Sequence, residues 1–244
     1  MKKFLLLLII LTCAACSEEA DTNDIFSNFV VSPSTISADG ESIVDVSVEL
    51  TDKASTDRRN IVFSTTSGKF TSTNLDKCTI KAEYEAGVLI ARTTLKVSTK
   101  PGAIEISVQP EFDSPVKEFS ITQIVHAVAS VPKTISLESS SFGVASNHLN
   151  EVLLTGNLKN IEGKPVSSGY KVGFTNFVLP SGTDGSAGQF RDTNDTTAAA
   201  SEVTSYFSAN ALPIGTSVKI VATLLNLDGS PTEISDSIVL TINQ

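Results

Sequence analysis

Tryptophan is absent from this chain, and methionine, histidine and cysteine are scarce: one, two and three residues respectively in 244. With only Tyr84, Tyr170 and Tyr206 beside the missing Trp, there is little to build the exposed aromatic platforms that surface carbohydrate binders use. His126 ends an apolar run and His148 sits in the polar stretch SNHLN. Neither accompanies a Ser or Cys nucleophile motif, no paired carboxylates stand in a catalytic context, and no phosphate loop G-x-x-x-x-G-K-[ST] occurs. No enzyme activity and no cofactor are therefore expected. Basic side chains are few as well, 18 against 27 acidic ones, for a net charge of -9. Without a basic stripe to displace counterions, a nucleic-acid partner is excluded. No stretch shows a sustained helical apolar stripe, and no apolar run approaches the roughly 20 residues that a permanent membrane helix needs.

What the chain does have begins at its N-terminus. Met1-Lys2-Lys3 is followed by an apolar run from Phe4 to Thr12 and then by Cys13-Ala14-Ala15-Cys16. Charge, apolar run and small residues in that order have the form of a secretory signal. A redox C-x-x-C needs a helix start on a βαβ scaffold, and none follows; a zinc corner needs two further ligands, and no second Cys/His pair exists. The segment resembles a bacterial lipoprotein signal, in which the chain is cut before a Cys that is then acylated. Ala14-Ala15-Cys16 fits the last three positions of that pattern, with Cys13 where Leu is usual. The other register, ending at Cys13, puts the larger Thr12 before the cut. The resemblance therefore implies cleavage before Cys16 and acylation of Cys16. Cys78, in a strand-like run, is left as a free thiol and reads as a small core residue.

After Cys16 the chain runs Ser17-Glu18-Glu19-Ala20-Asp21-Thr22-Asn23-Asp24, polar and acidic without a core-forming pattern. This reads as a solvated tether through Asn28, able to reach roughly 40 Å when extended. An acidic run behind the lipid Cys resembles the surface-export signal of Bacteroidetes lipoproteins, which implies an outer-membrane lipid anchor with display at the cell surface. An ordinary polar spacer, with the domains on the periplasmic face, is the alternative.

The body reads as strands. Strand-like runs are expected at 29–31, 43–50, 60–64, 79–85, 88–97, 104–109 and 116–125, separated by turn chemistry such as Ala38-Asp39-Gly40 and Lys100-Pro101-Gly102. From Val44 onward, SIVDVSVEL alternates with period two. Ser130-Val131-Pro132-Lys133 punctuates the chain, and further runs follow at 134–137, 151–158, 170–174, 201–209, 217–225 and 235–242. The two halves align in three places: 62–70 with 172–190, 94–110 with 206–224, and 114–127 with 230–243. This predicts an all-β chain of two related sandwiches in tandem. The organisation is a signal peptide at 1–15, acylated Cys and tether at 16–28, and domains at 29–129 and 130–244.

The opening VSPSTISADGES (31–42) resembles that of a bacterial Ig-like domain of the invasin/intimin type. The resemblance continues through Val62-Phe63, Ser67-Gly68 with Phe70, and Gly102-Ala103-Ile104. In the second half, Gly163-Lys164-Pro165-Val166, Val172-Gly173-Phe174 and Gly188-Gln189-Phe190 fit the same scheme, without the Ala-Asp-Gly opening. It implies tandem immunoglobulin-like β-sandwiches, and its motifs specify turns and core rather than a site. Phe63 and Phe174 are expected in the core, and Phe70 and Phe190 as plugs of the sandwich ends.

One segment, 179–199, is long for a sandwich connection. Asp184, Asp192, Asn194 and Asp195 are oxygen donors within it, without EF-hand spacing, so a solvated loop is expected over a calcium site. Asp195-Thr196-Thr197 and Asp236-Ser237-Ile238 resemble the short O-glycan acceptor pattern of Bacteroidetes, with Thr196 and Ser237 as acceptors. Three functions follow: an adhesion or binding module with a protein or glycan ligand, a spacer or subunit of an envelope complex, and a carbohydrate-binding accessory disfavoured by the aromatic content. A concentrated apolar patch on domain-end loops is the feature that separates the first from the second. The expected lipid bilayer partner is tested at Cys16: Cys16→Ser abolishes metabolic labelling by palmitate and moves the protein from the membrane to the soluble fraction, whereas Cys13→Ser leaves both unchanged.

Overall fold

The computed structural model describes residues 22–52, 54, 59–111, 119–194, 197 and 201–243. Cys16, the signal segment and the first part of the expected tether lie outside them. The first sandwich is built from β1 (Phe26–Ser32), β2 (Thr35–Ala38), β3 (Ile43–Leu50), β4 (Asn60–Thr65), β5 (Lys69–Phe70), β6 (Lys77–Lys81), β7 (Glu83–Glu85), β8 (Val88–Lys96), β9 (Gly102–Pro110) and β10 (Ile121–Ala129). The second comprises β11 (Thr134–Ser139), β12 (Gly143–Ala145), β13 (Val152–Lys159), β14 (Val172–Val178), β15 (Gly188–Asn194), β16 (Glu202–Ala209), β17 (Ser217–Leu225) and β18 (Pro231–Asn243).

In the first sandwich one sheet runs β1-β3-β8-β5, with β7 also on β8, and the other runs β2-β10-β9-β4-β6. The second repeats the scheme with β11-β13-β16-β15 facing β12-β18-β17-β14. Among the described residues strands β6 and β7 have no counterpart there. In each sandwich the first strand pairs antiparallel on one sheet. The chain then crosses, and the next strand pairs parallel with the last one, β2 with β10 and β12 with β18. The three aligned segments fall on equivalent strands: β4–β5 on β14–β15, β8–β9 on β16–β17, and β10 on β18. Tandem β-sandwiches are thus what the strand pattern predicted.

Alternation produces the cores. Val44, Val46, Val48 and Leu50 point inward from β3, and Val218, Ile220, Ala222 and Leu224 do so from β17. Phe63 and Phe70 are both fully buried and meet edge-to-face at 6.2 Å, so Phe70 belongs to the core proper rather than to an end plug. Phe174 and Phe190 are only partly buried, packed against the second core with their rings 5.8 Å apart, and Phe190 leads on to the buried Phe207 at 5.4 Å. Cys78 is a buried free thiol, 3.8 Å from the Thr93 hydroxyl, as its strand position implied.

Several expectations require correction. The expected tether already contains structure from Thr22: a 3-10 turn, Thr22–Asp24, precedes Ile25 and Phe26, both of which enter the first core. Two isolated apolar residues after an acidic run carry no periodicity, so the sequence did not announce them. The single strand expected at 79–85 is two, because Ala82 is buried where the chain passes from the β4 sheet to the β8 sheet. Strands β2, β5 and β12, of two to four residues, are too short to show alternation. Of the run expected at 116–125, residues 116–118 lie outside the described residues, and the strand there is Ile121–Ala129. The connection 179–199 is no continuous loop: β15 occupies its centre.

A polar seam joins the sandwiches. The Ser167 hydroxyl donates to the Ala38 carbonyl of the first sandwich (2.7 Å) and accepts from the Ser130 amide of the connecting segment (2.9 Å). The Ser167 amide returns a bond to the Ser130 carbonyl (3.0 Å), and the Ser168 amide donates to the Thr99 carbonyl (2.9 Å). The Ser130 hydroxyl donates to Pro165 and accepts from the Asn160 amide. Thr197 bonds Ser167 and Tyr170, and Ser201 bonds Val166 in both directions. Asp39, Thr99, Ser130, Ser167, Thr197 and Ser201 are all buried here. Removing one hydroxyl that serves two buried backbone groups costs about 1–3 kcal/mol for each group left unsatisfied. Ser167→Ala therefore lowers the denaturant midpoint, and residual dipolar couplings report two independently tumbling sandwiches in place of one orientation.

Candidate functional site

Away from the seam, the far end of the second sandwich is formed by the segment 140–151, loops on either side of β12, and by the loops 179–187 and 210–216. They are tied into one surface. The Asn147 amide donates to Asn210 (3.0 Å) and the His148 amide to Ala209 (2.8 Å). The Ser146 hydroxyl donates to the Leu212 carbonyl (2.8 Å) and accepts from its amide (2.9 Å). The Asn210 amide and side chain donate to Ala187 and Ser186. Asn176, buried on β14, fixes the middle loop: its Oδ1 accepts from the Ala187 (2.9 Å) and Gly188 (3.1 Å) amides, and its Nδ2 donates to the Gly188 carbonyl (3.2 Å). A side chain at Gly188 has no room, since a Cβ would lie 2.1 Å from the Ser208 carbonyl.

On this cross-linked scaffold four large apolar side chains face solvent: Phe142 (66% exposed), Leu149 (76%), Ile214 (65%) and Leu179 (38%). At least one comes from each loop. Single exposed apolar residues are ordinary, whereas four large ones on the segments of one end concentrate apolar surface there.

The singled-out residues distribute differently. Asp184 lies in the 179–187 loop, whereas Asp192 lies on β15 with φ 49°, in contact with Arg191. Asn194 ends β15, and Asp195 and Thr196 lie outside the described residues. Among the described residues, no three His, Cys, Asp or Glu side chains gather to hold a metal. Thr197 is buried in the seam. Ser237 is exposed on β18, and Asp236 beside it is committed, accepting from the Leu137 amide of β11 (2.8 Å) and the Ser237 amide (2.8 Å). His126 is exposed on β10. His148 has a partner the sequence did not suggest, Ser208, whose hydroxyl lies 3.0 Å from Nδ1. Among the described residues no carboxylate is bonded to that ring, so the contact seats the loop rather than forming a triad.

Arg191 links the cap to the strand face. It grips Glu151 through Nε (2.8 Å) and Nη2 and lies over the Tyr206 ring at 5.0 Å. Its hydrogen bonds hold Glu151 below the ordinary carboxylate range. At the opposite end of the molecule's logic, Asp39 in the seam is buried, which works against its charge. The Ser42 hydroxyl (2.6 Å), the Ser42 and Glu41 amides and the charge of Lys164 on the second sandwich outweigh burial and lower its pKa.

No family model matches the chain, and no curated protein sequence matches it. Solved structures do. Invasin, a bacterial integrin-binding protein, aligns over 88% of this chain and 38% of its own length, with a TM-score of 0.57 and 17% identity. This chain has the fold of tandem invasin-type Ig-like domains. The Yersinia pseudotuberculosis adhesin InvE aligns over 92% of this chain and 62% of its own, with a TM-score of 0.45 and 17% identity. The chain thus spans less than two thirds of either. Among the described residues no helix is long and apolar enough to cross a membrane. In these Ig-like sandwiches the loops are held by specific side chains, and Asn176, with three side-chain hydrogen bonds, is one of them. Asn176→Ala leaves the Ala187 and Gly188 amides without an acceptor, at a cost of about 1–3 kcal/mol. Hydrogen exchange at those two amides rises selectively while amides of β3 in the first sandwich keep their protection.

Proposed function

We propose that this chain is a non-enzymatic adhesion or binding module of a bacterial outer membrane, held by acylated Cys16 and displayed at the cell surface. Its protein or glycan ligand docks on the far loops of the second sandwich. The observation that carries this reading is the apolar cluster Phe142, Leu149, Leu179 and Ile214 on loops fixed to one another by hydrogen bonds. Fixed loops present these side chains without an ordering cost at binding. With the anchor before the first sandwich, this end points away from the lipid surface. Invasin, which shares the fold, is an integrin-binding protein; that supports a binding role and specifies no ligand.

A second reading has its own observation. The buried polar seam suits a spacer whose purpose is to hold two domains at a set distance and orientation, with a partner doing the work. Protease shaving of intact cells tests display: release of peptides from Phe29 onward, with acyl chains on the Cys16 peptide, supports the anchor and the outward orientation. The binding surface is tested by the triple variant Phe142→Ser, Leu149→Ser, Ile214→Ser. Its melting temperature stays near that of the parent because all three side chains are exposed. Its binding to epithelial cells or to a glycan array falls at least tenfold. Binding that survives the triple substitution removes the far loops from the function and leaves the spacer reading in place.

A further inference from the structure

A second concavity lies at the opposite end of the second sandwich from the proposed docking loops. It holds about 330 Å³ between the connecting segment at Val131, the Tyr170 stretch ahead of β14, and the β17–β18 turn. That is within the range of small-molecule sites, which favour domain boundaries and are lined mostly by apolar side chains. Its floor is Leu224, which is buried, with Tyr170, Leu225 and Ile234, which are partly buried.

The internal repeat shows what is unusual about it. At the equivalent end of the first sandwich, Ile25 and Phe26 close the core ahead of β1, and Ala54 is buried with them. The residues ahead of β11 include no such plug. Val131 is half exposed there, Pro132 is buried, and Leu227 in the facing turn is fully exposed. Only the edge of the second core, at the buried Leu224, lines the cleft at this point.

The rim adds a charge. Lys133 and Lys171 both line the cleft and are exposed. Among the described residues neither has an ion-pair partner, in a chain of net charge -9. The nearby acid of the turn, Asp228, is bound to the Ser230 amide (2.9 Å) and hydroxyl (2.6 Å). The Tyr170 hydroxyl makes no hydrogen bond among the described residues, and burial raises its pKa. An apolar floor, one unengaged hydroxyl and two unpaired ammonium groups at the mouth are complementary to an amphiphile with an anionic head.

We propose that this cleft is a binding site for a medium-chain fatty carboxylate, its chain on Leu224, Leu225, Tyr170 and Ile234 and its head between Lys133 and Lys171. This site is separate from the far loops and does not depend on their role. The test uses the mature chain with Cys16→Ser and decanoate below its micelle concentration. Titration calorimetry is expected to show saturable one-to-one binding. Amide NMR shifts are expected to concentrate at Val131, Tyr170, Lys171, Leu225 and Leu227. The double variant Lys133→Glu, Lys171→Glu, both exposed and so neutral to folding, weakens decanoate at least tenfold, and decanol binds the parent more weakly than decanoate does. Absence of saturable binding, shifts centred elsewhere, or unchanged affinity in the double variant overturns the proposal.

Discussion

The relation between the two halves of this molecule turns on the hydroxyl of Ser167 and the amide of Ser168 beside it. Ser167 donates to the last carbonyl of β2 in the first sandwich and accepts the amide of Ser130 in the connecting segment, while lying on a loop of the second sandwich. Three separate pieces of chain meet at a single oxygen, and every group involved is buried. Apolar contact between the sandwiches would tolerate sliding, because it is proportional to area and has no direction. Buried hydrogen bonds do not, since a displaced partner leaves a desolvated polar group behind. The seam therefore sets an orientation, in addition to whatever adhesion it supplies. The neighbouring Ser168 amide crosses as well, to the Thr99 carbonyl, and the bonds of Thr197 and Ser201 close the loop on itself, so the groups that reach across are held in place from behind.

The turn opposite is prepared for this contact. Asp39 folds its carboxylate back onto the Glu41 and Ser42 amides and the Ser42 hydroxyl, which fixes the end of β2 and so the position of the Ala38 carbonyl. In sequence, Ala-Asp-Gly reads as turn chemistry before a strand, which is correct as far as it goes. Its second use, presenting a carbonyl to the next domain, depends on a serine 129 positions away and has no local signature.

That difference in range explains what could be read from the sequence. Period-two alternation is local, so β3, β13, β16 and β17 were legible to within a residue or two. The sheet-crossing at Ala82 and the short strands β2 and β12 were not, because pairing across sheets decides them. β15 was hidden in a run of polar residues, QFRDTN, since an edge strand with one inward aromatic needs no further apolar pattern. Of the candidate site, the 179–187 loop was noticed only as part of the longer segment 179–199, which β15 divides. Phe142, Leu149 and Ile214 were not, as they are far apart in sequence and share one end only through the pairing of the segments that carry them.

The same set of loops ends both sandwiches, yet the two ends do opposite things. On the first, the turns at Ala38 and Thr99 offer backbone carbonyls and accept a polar loop of the next domain. On the second, the corresponding turns hold out Leu149 and Ile214, with Phe142 and Leu179 beside them. Covering side chains of this size is worth about 1.5–3 kcal/mol each when burial is complete, a driving force without fixed geometry. A surface that serves as an internal joint needs direction and uses hydrogen bonds. One that meets a foreign partner gains first from apolar area and can leave direction to the polar rim around it. The repeat has kept its fold at both ends and exchanged one kind of exposed group for the other: backbone carbonyls at the joint, large apolar side chains at the free end.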